Sequence, residues 1–123
     1  MYEIRLVTEQ REAYLPLLGL AAYPETGALY VMREQGATQC AAVVALTEGG
    51  CALAALGQAK GTPADNLDVL LEWINYKYGQ QYGLLAAALP EKWEAFLAAH
   101  GFSRDADGAW TRPLTTGCCC KAD

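Results

Sequence analysis

The chain has 123 residues, of which 53% are apolar and 19% charged, with a formal net charge of −5. That is room for one packed domain but not two, in a composition that is globular rather than disordered. Nine scattered Lys and Arg offer no basic patch for nucleic acid, no apolar run reaches the roughly 18 residues of a membrane span, and residues 1–5 lack the features of a secretory leader.

Tyr2 to Val7 alternates apolar and charged residues, the period of a half-buried strand. Thr8 is placed to cap a helix opened by Glu9, with Tyr14, Leu17, Leu18 and Ala21 continuing at helical spacing. Pro16 cannot donate back to Glu12, so a kink or two short helical pieces are expected there. After a loop at residues 23–27, three strands follow: Ala28 to Glu34, Thr38 to Thr47 and Cys51 to Leu56. Gln35-Gly36 and Glu48-Gly49-Gly50 supply the turns of this antiparallel meander. The middle strand is apolar on both faces from Cys40 to Leu46, as a central strand covered on both sides should be.

A loop (Gly57-Gln58-Ala59-Lys60-Gly61) then leads into the longest helix, on which the rest of the chain is organised. Thr62 suits its cap, Pro63 its first position and Asp65 a capping-box acid. Leu67, Leu70, Leu71, Ile74 and Tyr78 make one apolar stripe, with Asp68, Glu72 and Asn75 assigned to the opposite face. Lys77 and Gly79 or Gly83 mark its end. A strand, loop and helix in this order aim free N–H groups and a positive dipole end at one place, which suits an anion.

Leu84 to Leu89 is a fully apolar strand, and strand–helix–strand implies a parallel crossover. Pro90 opens another helix whose stripe is Trp93, Phe96, Leu97 and His100; Gly101 stops it, and Phe102 packs back on the last turn. Asp107-Gly108 turns a final hairpin, Ser103 to Asp105 with Ala109 to Arg112. Its exposed edge is a candidate surface for homodimer formation. Residues 115–123 read as a disordered tail, so the domain is assigned to residues 2–114. Cys40 and Cys51 are out of register for a bridge, and Cys118, Cys119 and Cys120 match no zinc spacing. Reduced thiols in a cytoplasmic protein with no metal site are the expectation.

The order strand, helix, three-strand meander, helix, strand, helix, hairpin resembles the GNAT superfamily of N-acetyltransferases. Within residues 2 to 114, Gln58-Ala59-Lys60-Gly61-Thr62-Pro63 is similar to the loop that precedes the central helix in that family, matching at Gln58 and Gly61 and departing at Pro63. Phe96 to Phe102, a helix end followed by Gly-Phe, and the opening Ile4-Arg5 strand with Thr8-Glu9 are family-like too. The resemblance implies an α/β (α+β) fold: a mixed sheet, antiparallel meander plus parallel crossover strand, with helices on both faces.

It also implies acetyl-coenzyme A as cosubstrate, held by Leu56, Gln58, Lys60, Gly61 and Thr62, and a small-molecule or peptide amine as acceptor. The pantetheine arm would lie along the fourth strand, the pyrophosphate on the N–H groups opening the central helix. Leu97 stands where the family often has a proton-donating tyrosine, and Cys51 to Leu56 carries no acid, so no catalytic residue is assigned. Asp65 and Asp68 place negative charge where the pyrophosphate would rest. The alternative is a non-catalytic module of the same fold that works by binding or dimerisation.

Overall fold

The computed structural model describes residues 2–24, 26–48 and 50–114. The expected disordered tail, and with it Cys118 to Cys120, lies outside the described residues. Among the described residues seven strands form one sheet: β1 (Tyr2–Val7), β2 (Gly27–Glu34), β3 (Ala37–Thr47), β4 (Gly50–Gln58), β5 (Leu84–Ala87), β6 (Ser103–Arg104) and β7 (Trp110–Pro113), in the order β1-β2-β3-β4-β5-β7-β6. β4 and β5 are parallel and every other pair is antiparallel. This is the mixed sheet expected from the sequence.

The meander is built as its turn residues dictate. Gln35 and Gly36 both have positive φ (53° and 82°), the conformation of the two-residue turn that matches strand twist, and Glu34 pairs with Ala37 across it. β3 is central, and alternation divides its side chains between two cores. Cys40, Ala42 and Val44 join Tyr30, Met32, Leu53 and Leu56 under α2 (Asp65–Tyr78), whose Leu67, Leu70, Leu71 and Ile74 are all buried. Ala41 and Val43 join Leu29, Val31 and Ala55 under the other helix, α1 (Leu15–Leu18).

α1 is shorter than its apolar spacing suggested. Gln10 takes a left-handed conformation (φ 54°), and a 3₁₀ turn at Arg11–Tyr14 leads into α1, with no cap from Thr8. Pro16 stands in the first turn, where its missing N–H costs nothing, so two short helical pieces form as expected. The backbone of α1 rides directly on β4. A Cβ at Gly57 would lie 2.2 Å from the Leu17 carbonyl oxygen, so only glycine admits this approach.

At the C-terminal end, a 3₁₀ turn at Glu91–Trp93 opens α3 (Glu94–Ala99). The Gly101 N–H donates to Ala98 O and the Phe102 N–H to Leu97 O, with Gly101 at φ +88°. That is the Schellman pattern, and Phe102 is buried beside the helix end as the sequence implied. Asn75 corrects an expectation: it is 6% exposed rather than on the solvent face, and neither Oδ1 nor Nδ2 has a hydrogen-bond partner among the described residues. No helix among the described residues is long and apolar enough to cross a membrane.

Candidate functional site

The opening between β4 and β5 begins at a single extra residue. Val43 pairs with Ala55 and Val44 with Leu53, so Ala54 is a bulge in β4. Bulges bend the strand that carries them and increase its twist. Parallel pairing accordingly covers only Cys51 to Leu53 against Leu85 to Ala87, and the last bond across is Ala88 N–H to Leu53 O at 2.9 Å. Beyond it β4 runs on through Ala55, Leu56, Gly57 and Gln58 with β3 on one side and, among the described residues, no strand on the other. A free strand edge holds backbone donors and acceptors that an extended ligand can satisfy.

The edge leads into a tightly tied loop. Gly57 and Gln58 belong to β4, not to the loop. The Thr62 N–H donates to Ala59 O at 3.3 Å, closing a turn whose third residue is Gly61 at φ +78°. Gln39 anchors this turn from β3. Its carbonyl accepts from the Ala59 N–H at 2.9 Å, and its side-chain Oε1 accepts from Asn66 Nδ2 in the first turn of α2, also at 2.9 Å. Sequence reading did not single out Gln39 or Asn66, whose pairing joins positions 27 residues apart.

Thr62 does not cap the helix. Its Oγ1 lies 2.7 Å from Ala59 O and 3.2 Å from Gln39 O, and Gln58 Nε2 donates back to Thr62 O at 3.0 Å. α2 therefore opens at Asp65, with Ala64 in the cap position two residues after Thr62 and no side-chain cap. The Asn66 and Leu67 N–H groups close a tighter first turn onto Pro63 O and Ala64 O. The N–H groups of Lys60, Gly61, Ala64 and Asp65 have no backbone partner among the described residues.

Of the assigned binding residues, Lys60 and Gly61 are exposed at the turn, and Gln58 and Thr62 spend their side chains inside the loop. Leu56 buries its side chain in the α2 core, leaving only its backbone on the edge. Asp68 is turned to α3, where its Oδ1 lies 2.9 Å from His100 Nε2, while His100 Nδ1 lies 2.8 Å from Phe96 O. His100 thus joins α3 to α2, and Asp65 is left as the exposed acid at the helix start. Leu97 is fully buried, and the one titratable side chain of β4, the Cys51 thiol, is buried in the α2 core where burial pushes its pKa up, so the opening has backbone polarity but no acid or base from these positions.

Two clefts lie away from the opening. One of about 330 Å³ is bordered by Tyr2, Glu3, Arg33 and Gln35. The other, about 300 Å³, lies at the far end of α2, bordered by Lys77, Tyr78, Gln81 and Tyr82. Tyr78 and Tyr82 line this second cleft, and Tyr76 is exposed outside it. The Tyr78 hydroxyl sits 2.7 Å from that of Tyr30, and burial together with this hydrogen bond pushes its pKa up. Burial likewise pushes the Cys40 thiol up to about 12.

No family model matches the sequence, and no curated protein matches it either. Solved structures do match in fold. The ribosomal-protein-S18-alanine N-acetyltransferase from Escherichia coli superposes with a TM-score of 0.70 at 14% identity, over 94% of this chain and 95% of that one. A GNAT family acetyltransferase from Elizabethkingia anophelis with acetyl-CoA bound gives 0.71 at 14% identity, over 92% and 98%. A putative N-acetyltransferase from E. coli bound to coenzyme A gives 0.70 at 18% identity, over 92% and 98%. The chain has the GNAT acetyltransferase fold over almost its whole length.

Proposed function

We propose that the protein binds acetyl-coenzyme A in the opening between β4 and β5 and transfers the acetyl group to an amine. The observation that carries this reading is the free edge of β4 beyond the Ala54 bulge, running straight into a turn with unused N–H groups. The pantetheine arm would add to Ala55–Gln58 as an extra strand does. The pyrophosphate would rest on the N–H groups of Lys60, Gly61, Ala64 and Asp65, with the Lys60 ammonium nearby. Leu56, Gln58 and Thr62 act by shaping this edge and turn rather than by offering side chains to the ligand.

The reaction is direct attack. The amine nitrogen adds to the thioester carbonyl carbon, the C–S bond breaks, coenzyme A leaves as thiolate, and the amine proton goes to solvent. The acceptor is a small-molecule or peptide amine. The compartment is the cytoplasm, where the buried Cys40 and Cys51 stay reduced. Two bound neighbours support coenzyme A as the ligand class.

The lack of an acid or base at the opening favours a second reading, a module of this fold that does no chemistry. Thermal unfolding with and without millimolar acetyl-coenzyme A, checked by calorimetric titration, decides between them. A ligand at about a hundred times its dissociation constant stabilises the fold by roughly 2.7 kcal/mol, a readily measured upward shift. Absence of both a shift and a heat of binding would overturn the acetyl-coenzyme A reading and leave the module.

A further inference from the structure

The two outer edges of the sheet are unequal. β6 is two residues long, and its Arg104 is committed to Glu94 at 2.6 Å, so the C-terminal hairpin edge offers little to pair with. β1 is six residues long and forms the opposite edge. Tyr2 and Leu6 are 44% and 54% exposed there, on the same face as Ile4, which packs against the α2 core. Glu3 and Arg5 occupy the other face, Arg5 Nε 3.0 Å from Glu3 Oε2, with both side chains more than half exposed.

We propose that a second copy of this chain pairs with β1 antiparallel about a two-fold axis through Ile4, making one continuous sheet. Parity and charge select that register. Residues paired across a ladder share a face, so a two-fold axis between like strands must pass through a residue. An axis through Glu3 opposes two carboxylates, and one through Arg5 opposes two guanidinium groups; like charges directly opposite are destabilising.

An axis through Ile4 sets Glu3 against Arg5 of the second copy and Arg5 against Glu3, closing the existing pairs into a ring of four alternating charges. On the other face it sets Tyr2 against Leu6 and Ile4 against Ile4, covering the two exposed apolar side chains. The strand is thus self-complementary on both faces in one register. This replaces the C-terminal hairpin, suggested by the sequence, as the dimer surface.

The test is sedimentation velocity of the full chain over a wide concentration range, on the wild type, Glu3→Arg, Arg5→Glu and the double swap. Circular dichroism checks that these exposed substitutions leave the fold intact. The expected result is a reversible dimer that each single swap weakens by about tenfold, because like charges then face each other, and that the double swap restores. A monomeric wild type throughout would overturn the proposal. So would a dimer indifferent to the swaps, or a double swap that fails to restore association.

Discussion

The two halves of the sheet are built on different terms. In the β1–β4 half, strands of six to eleven residues are paired along their length, and the middles of β2, β3 and β4 are covered on both faces, by α1 on one side and α2 on the other. In the β5–β7 half the strands are two to four residues long. Leu85, Ala87 and Trp110 pack on the core beneath α2, but Leu84, pointing the other way, is 48% exposed. Side chains tie this half to α2, His100 to Asp68 and Arg112 Nη1 to Glu72 at 3.1 Å, while Arg112 Nη1 to His100 O at 2.8 Å and the ring contacts of Trp93, Phe96 and His100 hold it together internally. The halves share only three residue pairs of sheet, and they part where Ala54 bulges. Sheet pairing between the halves thus stops early, on the side where the strands are short.

That contrast can be broken most strongly on its firmer side. Leu53→Ala, at a fully buried position, is expected to cost about 2–5 kcal/mol in urea unfolding. Leu84→Ala on the bare face should change stability by less than about 0.5 kcal/mol. Near-equal losses would mean that the face of β5 is covered in solution. Gly57→Val drives a side chain into the α1 backbone and is expected to lose about 3 kcal/mol, with α1 displaced; calorimetric unfolding reads the loss.

Smaller effects sharpen the junction itself. Gly61→Ala meets no steric obstacle but must hold φ +78°, at a cost of about 1–2 kcal/mol. It should also weaken acetyl-coenzyme A in calorimetric titration; unchanged affinity would remove this turn from the site. A further effect is confined to alkaline pH. Cys40 has its folded pKa raised above the ordinary 9.0, to about 12, so its contribution is fully present below pH 9 and is lost as pH rises toward 12. Tyr78, also raised, acts in the same direction. Cys40→Ala should flatten that part of the pH–stability curve, and Cys40 in the folded wild type should resist thiol reagents at neutral pH.

Local pattern alone determined most of the architecture. Alternation located β1, turn residues and continuous apolar runs located the later strands, the spacing of Leu67, Leu70, Leu71 and Ile74 located the central helix, and Gly101-Phe102 located the end of α3, because these signals act over a few residues and were reinforced by packing. The element order was enough for the resemblance that the solved structures bear out at the level of fold.

Tertiary structure decided what depends on a choice between partners. Thr62 had the chemistry of a cap, but Ala59 O and Gln39 O lay closer at hand, so the helix opened at Asp65. Asn75 looked like a solvent residue until the packing of α2 buried it. The bulge at Ala54 leaves no mark in a run of alanines, since small apolar residues fit either face of a strand equally well. Which half of a sheet is covered, and where its pairing stops, are properties of strands distant in sequence meeting in space, and no local pattern encodes them.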